Sequence, residues 1–253
     1  MIKNKHIVIS GGTSGIGKEL VLQLYEHNTL YVLGRNEDKL IKLKDLNSNK
    51  IFVFSCDVTS NQQVIENINE IKNKTQHIDI LINNAGTSDA RSFTDYNYDD
   101  LEKIINTNLT GSINLTLNIM PLILRSKGSI INVGSMFGDI AHPLYSVYSA
   151  TKFGIRGFSD ALRREYMHKG IKVFYVAPRA TATASLDKTK EIGKYFDMNI
   201  DKPEYVAKHI LNEYQKSNLH IYPKSIERLF VFIQKFLPSI IDTSLNSRIK
   251  KFF

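Results

Sequence analysis

Tyr148 and Lys152, in the stretch YSVYSATKFG (145–154), have side chains that could transfer a proton. On a helix, a spacing of four residues puts the phenol and the ammonium on one face. A cation about 4 Å from the phenol favours its ionised form by about 4 kcal/mol at an effective dielectric constant of about 20. We therefore expect Lys152 to lower the pKa of Tyr148 into the range where a general acid or base works. A chain with 12 tyrosines also produces this spacing by chance. The pair therefore indicates proton transfer only if a cofactor site lies beside it.

Short apolar runs rich in β-branched residues alternate with helical stretches along the chain. The runs that read as strands are HIVIS, LYVLG, IFVFS, IDILIN, SIINVGS, IKVFYVAP and LHIYP. They are mostly apolar on both faces, as strands are when helices cover both sides of a parallel sheet. The pattern predicts an α/β fold with a doubly wound, mostly parallel seven-stranded sheet and helices on both faces, which is a Rossmann fold.

The first strand is followed at once by a glycine-rich turn, SGGTSGIG (10–17). Glycines let the backbone approach a phosphate closely, and the N-terminus of the following helix favours negative charge. Their spacing, G-x-x-x-G-x-G, differs from the G-x-G-x-x-G of ordinary dinucleotide folds. We expect this turn to bind the pyrophosphate of a dinucleotide through Gly11, Thr13, Ser14, Gly15, Ile16 and Gly17.

These motifs resemble the single-domain, Rossmann-type short-chain dehydrogenase/reductase family over roughly residues 3–222. The family's T-G-x-x-x-G-x-G is present with Ser10 in place of Thr, and its N-N-A-G is intact at residues 83–86. Asp57 and Val58, after the third strand, match the pair that holds the adenine ring in the family. The resemblance implies further cofactor contacts from Asn84, Ala85 and Gly86.

The resemblance also implies a catalytic tetrad. Ser135, at the end of the fifth strand, would orient a substrate carbonyl, and Asn108 would complete a proton relay through water. Tyr148 would give or take the proton, while Lys152 would hold the nicotinamide ribose. All four positions carry the residue type that the family uses.

The loop after the sixth strand reads APRATAT and departs from the family's usual Pro-Gly. Pro178 and the backbone of Thr181 would still line the nicotinamide. Arg179 takes the place of the glycine, which disfavours a positive backbone dihedral there. Two roles stay open for this arginine: it points to solvent, or it meets an acidic substrate or a phosphate.

The end of the second strand indicates which nicotinamide cofactor is used. NAD-binding proteins place a carboxylate there to accept hydrogen bonds from the ribose hydroxyls. Gly34 occupies that position, and Arg35 follows it. A guanidinium can bind a 2′-phosphate through charge-assisted hydrogen bonds. We therefore expect NADP(H), with NAD less favoured.

The composition limits the compartment and the partners. A single cysteine among 253 residues excludes a disulfide framework and is typical of a reducing compartment. The start, MIKNKHIVIS, passes directly into a strand, so neither a signal peptide nor a spanning helix is expected, and the predicted location is the cytoplasm. Residues 223–253 hold six basic and two acidic side chains, half of the net charge of +8. This concentration argues against a nucleic-acid partner, and no metal site is expected.

The tail, residues 223–253, follows a different pattern from residues 1–222, the predicted NADP-binding catalytic domain. Its apolar side chains recur at helical spacing, interrupted once by Pro238, at Ile226, Leu229, Phe230, Ile233, Leu237, Ile241, Leu245 and Ile249. We predict an amphipathic, basic, helical tail. It either packs on the body or on a second subunit of a homodimer or homotetramer, or it lies peripherally on a membrane surface.

Apolar residues surround the predicted catalytic tyrosine. They are Met136, Phe137, Ile140, Leu144, Tyr145, Leu186, Ile192, Tyr195, Phe196 and Met198. In the family such positions line the substrate pocket, although core packing explains about half of them equally well. The sequence predicts an NADP(H)-dependent oxidoreductase that interconverts a carbonyl and an alcohol on a lipophilic small molecule. The alternative is a non-catalytic NADP(H)-binding regulatory protein on the same fold, and the intact tetrad favours the enzyme.

Overall fold

The computed structural model describes residues 1–187, 199–223 and 227–250. Their strands are β1 (His6–Ser10), β2 (Thr29–Gly34), β3 (Ile51–Ser55), β4 (Ile80–Asn83), β5 (Ser129–Val133), β6 (Lys172–Val176) and β7 (His220–Ile221). They form one sheet in the order β3-β2-β1-β4-β5-β6-β7, and every neighbouring pair is parallel. The predicted doubly wound, seven-stranded sheet is confirmed.

Helices connect the strands and cover both faces of the sheet. They are α1 (Gly15–Leu24), α2 (Glu37–Lys44), α3 (Asn61–Lys74), α4 (Tyr98–Ile105), α5 (Gly111–Ser126), α6 (Ser146–Tyr166), α7 (Ala184–Asp187), α8 (Pro203–Gln215), α9 (Glu227–Phe236) and α10 (Pro238–Ile249). The apolar stripes of α1, α2 and α8 join one hydrophobic cluster, and those of α3, α5 and α6 join another.

The alternation of side chains along β1 explains the two layers. Ile7 and Ile9 pack in the cluster that contains α1 and α8, whereas Val8 points to the opposite cluster. All three side chains are fully buried, and full burial of such a residue contributes about 1.5–3 kcal/mol. A strand apolar on both faces is therefore stable only between two helical layers, which leaves the ends of the strands free for a ligand.

The tail forms two helices, α9 and α10, which contact each other. Val231, Leu245 and Ile249 pack against the body, but none of the residues described in these two helices is fully buried. The predicted stripe therefore faces solvent in part, and Ile226 lies outside the described residues. The large apolar side chains that the tail exposes are Leu229, Phe230, Phe232, Phe236, Leu237 and Ile240.

Candidate active site

A cleft of about 810 Å³ lies at the carboxyl ends of the strands. Most of the predicted site residues line it, from the glycine-rich turn at 11–16 to the loop that follows β6. Two of them lie behind its wall: Gly17 is buried in α1, and Asn108 is buried beneath the turn after β4. Both can shape the cleft, but neither faces it directly.

The glycine-rich turn forms a cradle at the start of α1. Gly11 has a φ of +65°, and a Cβ there would lie 2.8 Å from the Ala85 Cα atom. Gly15 has a φ of +52°, which also favours glycine. The side chain of Ser14, the N-cap residue, makes no capping hydrogen bond, so the first amides of α1 are available to an anion. The cradle and its donors fit the pyrophosphate of a dinucleotide.

Ser10 links this cradle to the N-N-A-G turn after β4. Its hydroxyl oxygen accepts hydrogen bonds from the backbone amides of Asn84 and Ala85, both at 3.1 Å. The side-chain amide of Asn84 donates to the Gly11 carbonyl oxygen at 3.1 Å. Serine supplies the hydroxyl that threonine supplies in the motif, so the exchange at this position leaves the link between the two turns intact.

Arg35 and Asp57, the residues predicted to bind the adenosine part of the cofactor, line the cleft and lie next to each other. Arg35 is largely exposed, and its guanidinium lies 3.7 Å from the Asp57 carboxylate. Burial raises the pKa of Asp57, but hydrogen bonds from Thr59 and the charge of Arg35 outweigh it, so the pKa lies below its ordinary value. A Cβ at Gly34 would lie 2.6 Å from the Thr13 Cγ2 atom, so a carboxylate at that position would need a local rearrangement.

Ser135, Tyr148 and Lys152 meet on the floor of the cleft. The Ser135 side chain lies close enough to the Tyr148 phenol to influence its pKa, and the Lys152 ammonium lies 5.6 Å from the centre of the Tyr148 ring. Lys152 itself donates to the Val133 carbonyl oxygen at 3.1 Å. The β5 end and the first two turns of α6 thus bring together residues that are up to 17 positions apart in the sequence.

The expected lowering of the Tyr148 pKa is wrong for this structure. Burial raises it to about 12, although the Ser135 side chain opposes the rise. Burial also lowers the pKa of the Lys152 ammonium to about 8. The ammonium donates to a backbone carbonyl, and desolvation of the buried phenol is the largest influence on the pKa of Tyr148. Tyr148 is therefore protonated at neutral pH, as a proton donor must be.

Asn108 lies in a single π-helical turn, Asn106–Thr110, between α4 and α5. Such turns interrupt the regular helix and often mark functional sites. The Asn108 amide accepts a hydrogen bond from the Thr87 backbone amide at 2.8 Å and donates to the Thr87 carbonyl at 2.9 Å. It also donates to the Thr151 hydroxyl at 3.2 Å, which donates to the Tyr148 carbonyl. Asn108 therefore connects the turn after β4 to the start of α6.

The other half of the cleft is largely apolar. Among the residues predicted there, those that line it are Met136, Phe137, Ile140, Tyr145 and Leu186, while Leu144 packs beneath Tyr145. The tail completes this wall with Phe230, Ile241 and Leu245. The remaining predicted wall residues, Ile192, Tyr195, Phe196 and Met198, lie outside the described residues.

Comparison with known proteins decides the family. The family profile described as short chain dehydrogenase matches residues 5–192, more than half of the chain. This protein belongs to the short-chain dehydrogenase family. The 3-ketodihydrosphingosine reductase of Dictyostelium discoideum is 34% identical in an alignment of 226 positions that covers 80% of this chain and 65% of that protein. The chain thus spans less than two thirds of the length of that relative. The 3-oxoacyl-(acyl-carrier-protein) reductase FabG of Thermotoga maritima is 29% identical in an alignment of 221 positions that covers 83% of this chain and 90% of that protein.

Solved structures share the fold over most of this chain. The enzyme of Burkholderia cenocepacia, in complex with NADP, has a TM-score of 0.83 at 19% identity and covers 96% of this chain and 98% of its own. The enzyme of Burkholderia phymatum, in complex with NAD, has a TM-score of 0.84 at 16% identity, with coverages of 93% and 95%. ElxO with NADP bound has a TM-score of 0.76 at 29% identity, with coverages of 87% and 97%. Both nicotinamide cofactors therefore occur on this fold.

Arg179 is the clearest departure from the short-chain dehydrogenase motifs. Its guanidinium forms two hydrogen bonds with the Asp201 carboxylate, at 2.7 and 2.8 Å. Its backbone stays outside the left-handed region, so the exchange of glycine causes no strain there. The residue thus pairs with an acidic group of its own chain and does not simply point to solvent. It also lines the cleft, so a role towards an acidic substrate or a phosphate stays a prediction. The pair is reinforced by backbone hydrogen bonds between Asp201 and residues Ala180 and Ala182.

The buried charge of the Lys152 ammonium is expected to destabilise the folded protein, although Lys152 is a candidate catalytic residue. Lys152→Met should raise the free energy of unfolding of the cofactor-free protein by up to about 3 kcal/mol at pH 7, because burial lowers the lysine pKa from 10.5 to about 8. The gain is largest below pH 8, where the ammonium is charged in both states, and disappears above pH 10.5, where it is neutral in both. Urea unfolding across this range measures it.

The matched control for this experiment is Lys103→Met, which removes an exposed lysine from α4. It should leave the free energy of unfolding within about 0.5 kcal/mol of the wild type. A Lys152→Met protein that is no more stable than this control at pH 7 would show that the ammonium is not desolvated.

Proposed function

We propose that this protein is an NADP(H)-dependent oxidoreductase that interconverts a carbonyl and an alcohol on a lipophilic small molecule. The observation that carries the proposal is the proximity of Ser135, Tyr148 and Lys152 at one end of a cleft whose other end is a glycine cradle. Arg35 supports NADP(H), because its largely exposed guanidinium can bind a 2′-phosphate and the preceding Gly34 brings no opposing charge.

Each residue of the tetrad has a separate task. The nicotinamide, when bound, supplies the hydride. Ser135 donates a hydrogen bond to the substrate oxygen as negative charge develops there. Tyr148 gives that oxygen its proton, and the raised pKa of the phenol supports the reductive direction at neutral pH. Lys152 binds the ribose, and Asn108 fixes the position of the turn after β4 relative to α6.

The substrate that we propose is an aliphatic chain with a carbonyl at its third carbon. The names of both relatives, a 3-ketodihydrosphingosine reductase and a 3-oxoacyl reductase, place the reacting oxygen there. The apolar wall of Phe137, Tyr145 and Leu245 would contact the hydrocarbon chain. A polar, short substrate would leave this wall in contact with water.

The test is NADPH oxidation with 3-oxoacyl thioesters of N-acetylcysteamine of increasing chain length. We expect kcat/KM to rise with chain length, because each buried methylene adds about 0.8 kcal/mol. The matched control is a series of 2-oxo acids of the same lengths, which should be reduced poorly. A protein that binds NADPH and reduces neither series would contradict the proposal and favour the regulatory alternative.

We also propose that the tail contacts an anionic membrane surface from the cytoplasmic side. Phe232, Phe236 and Ile240 expose more than half of their surface, and Arg228 and Lys235 lie beside them on α9. Apolar and basic side chains together favour the interface of an anionic bilayer. Among the helices that the structure describes, no candidate for a membrane-spanning segment is found.

The double substitution Phe232→Ser/Phe236→Ser should weaken binding to vesicles of phosphatidylserine and phosphatidylcholine at least about tenfold. Each phenylalanine loses up to about 1.5–3 kcal/mol of burial. Wild-type binding should also weaken with salt, because the basic side chains contribute by charge. Co-sedimentation measures both effects. Phe93→Ser, at an exposed phenylalanine outside the tail, is the control and should bind like the wild type.

A wild-type protein that does not pellet with these vesicles would contradict the membrane proposal.

A homodimer or homotetramer remains part of the proposal. It is supported by exposed apolar side chains on the outer helices, such as Leu117 on α5 and Phe153 on α6. Light scattering without lipid measures the mass of the assembly, and the mass of a single chain would contradict it.

A further inference from the structure

Tyr175, on β6, lies directly behind the turn that carries Ser135. It is fully buried and does not line the cleft. Its hydroxyl donates to the Ser135 carbonyl oxygen at 2.9 Å and lies 3.1 Å from a carboxylate oxygen of Asp139. A buried phenol between two acceptors has its ring orientation fixed by both of them. Tyr175 therefore contacts the backbone of a catalytic candidate from the protein side.

The turn around Ser135 is shaped to the ring of Tyr175. A Cβ at Gly134 would lie 2.3 Å from the ring, and one at Gly138 would lie 2.5 Å from the hydroxyl. The ring thus occupies the volume that any side chain at these two positions would need. Both glycines allow the turn to close on the tyrosine, so the position of the ring and the position of the turn depend on each other.

Asp139 holds the tyrosine and connects it to the helix of the catalytic tyrosine. Its side chain is buried, forms an ion pair with Arg156 of α6, and accepts a hydrogen bond from the Tyr222 hydroxyl at 2.8 Å. Arg156 stands one helical turn after Lys152 on the same helix. The carboxylate therefore links the Ser135 turn to α6, which carries Tyr148.

We propose that Tyr175, held by Asp139, is a positioning residue that sets the distance between Ser135 and Tyr148. The inference rests on the proposed reductase function, since the distance between Ser135 and Tyr148 has a role only in that reaction. Tyr175 touches neither substrate nor cofactor and acts through the Ser135 backbone. Its loss should slow the chemical step and leave cofactor binding intact, because the dinucleotide cradle lies on other strands.

Tyr175→Phe is the decisive variant, because it keeps the ring and removes only the hydroxyl. We expect kcat for a long-chain 3-oxoacyl thioester to fall roughly 10- to 100-fold, with the KM and the dissociation constant of NADPH within about twofold of the wild type. The matched control is Tyr222→Phe, which also removes one hydrogen bond from Asp139 but leaves the contact with Ser135. It should keep kcat within about threefold.

A double-mutant cycle separates positioning from general damage. In a Ser135→Ala background, Tyr175→Phe should cause no further loss of kcat, since both substitutions act on one interaction. Additive losses, or equal losses in Tyr175→Phe and Tyr222→Phe, would overturn the inference. If Tyr175→Phe does not fold, Asp139→Asn takes its place with the same non-additive expectation.

A crystal structure of Tyr175→Phe tests the inference without any substrate. We expect the Ser135 turn to shift and the distance between the Ser135 and Tyr148 hydroxyl oxygens to increase. An unmoved Ser135 would overturn the inference even where the reductase activity is confirmed. Conversely, a shifted Ser135 in a protein that reduces no ketone would leave the positioning role standing and reject the proposed reaction.

Discussion

Tyr148→Phe is expected to lower kcat by about 10²- to 10⁴-fold, the range that a general acid or base contributes. The ring and its packing against Phe137 and Tyr145 stay in place, and only the transferable proton is removed. The dissociation constant of NADPH should change by no more than a few-fold, because the cradle at the start of α1 is untouched. Steady-state kinetics and fluorescence titration of NADPH measure the two quantities.

The control for this substitution is Tyr166→Phe, on the same helix but in the core cluster away from the cleft. It should retain at least about half of the wild-type kcat, since it removes a hydroxyl that takes no part in proton transfer. A Tyr148→Phe protein as active as this control would show that another group supplies the proton.

Arg35→Asp is expected to weaken NADPH binding by roughly 10- to 100-fold, because a charge-assisted hydrogen bond contributes about 1.5–3 kcal/mol. The introduced carboxylate repels the 2′-phosphate and can accept hydrogen bonds from the ribose hydroxyls, so NADH binding should hold or improve. Dissociation constants for both cofactors, in the wild type and in the variant, give the ratio that decides the preference. Folding should be little affected, since Arg35 is exposed and its pair with Asp57 is long.

Lys42→Asp makes the same change of charge on α2, at an exposed position outside the cleft. Its ratio of NADPH to NADH affinity should match that of the wild type, apart from a small general effect of charge. If Arg35→Asp also leaves the ratio unchanged, Arg35 is only a surface residue and the NADP(H) proposal loses its main support.

Local patterns predicted the scaffold of the site well. β-Branched runs such as HIVIS at 6–10 predicted strands buried on both faces, and the sheet confirms them. The glycine turn predicted a close backbone approach, and Gly11 indeed has a positive φ beside Ala85. These features were readable because each depends on the conformation of a few consecutive residues.

The sequence did not reveal the partner of Arg179 or the role of Tyr175, because the groups that these two residues contact lie far along the chain. Arg179 pairs with Asp201, 22 positions later, and nothing in APRATAT indicates that carboxylate. Tyr175 reads as one more apolar strand residue in IKVFYVAP. The one signal that could have revealed it is the pair of glycines on either side of Ser135, which leaves room for a large ring.

The sequence by itself determined the fold and the glycine cradle, because strand burial and turn geometry are local properties, and the family resemblance identified the proton-transfer candidates. Only the tertiary structure decided the electrostatic state of Tyr148, whose pKa depends on how much protein surrounds the phenol. It alone also showed that the tail forms part of the cleft wall while exposing a second apolar surface. Both outcomes depend on packing between segments that are distant in the sequence. This packing decides how far a side chain is desolvated and which groups it contacts, and the spacing of residues does not reveal it.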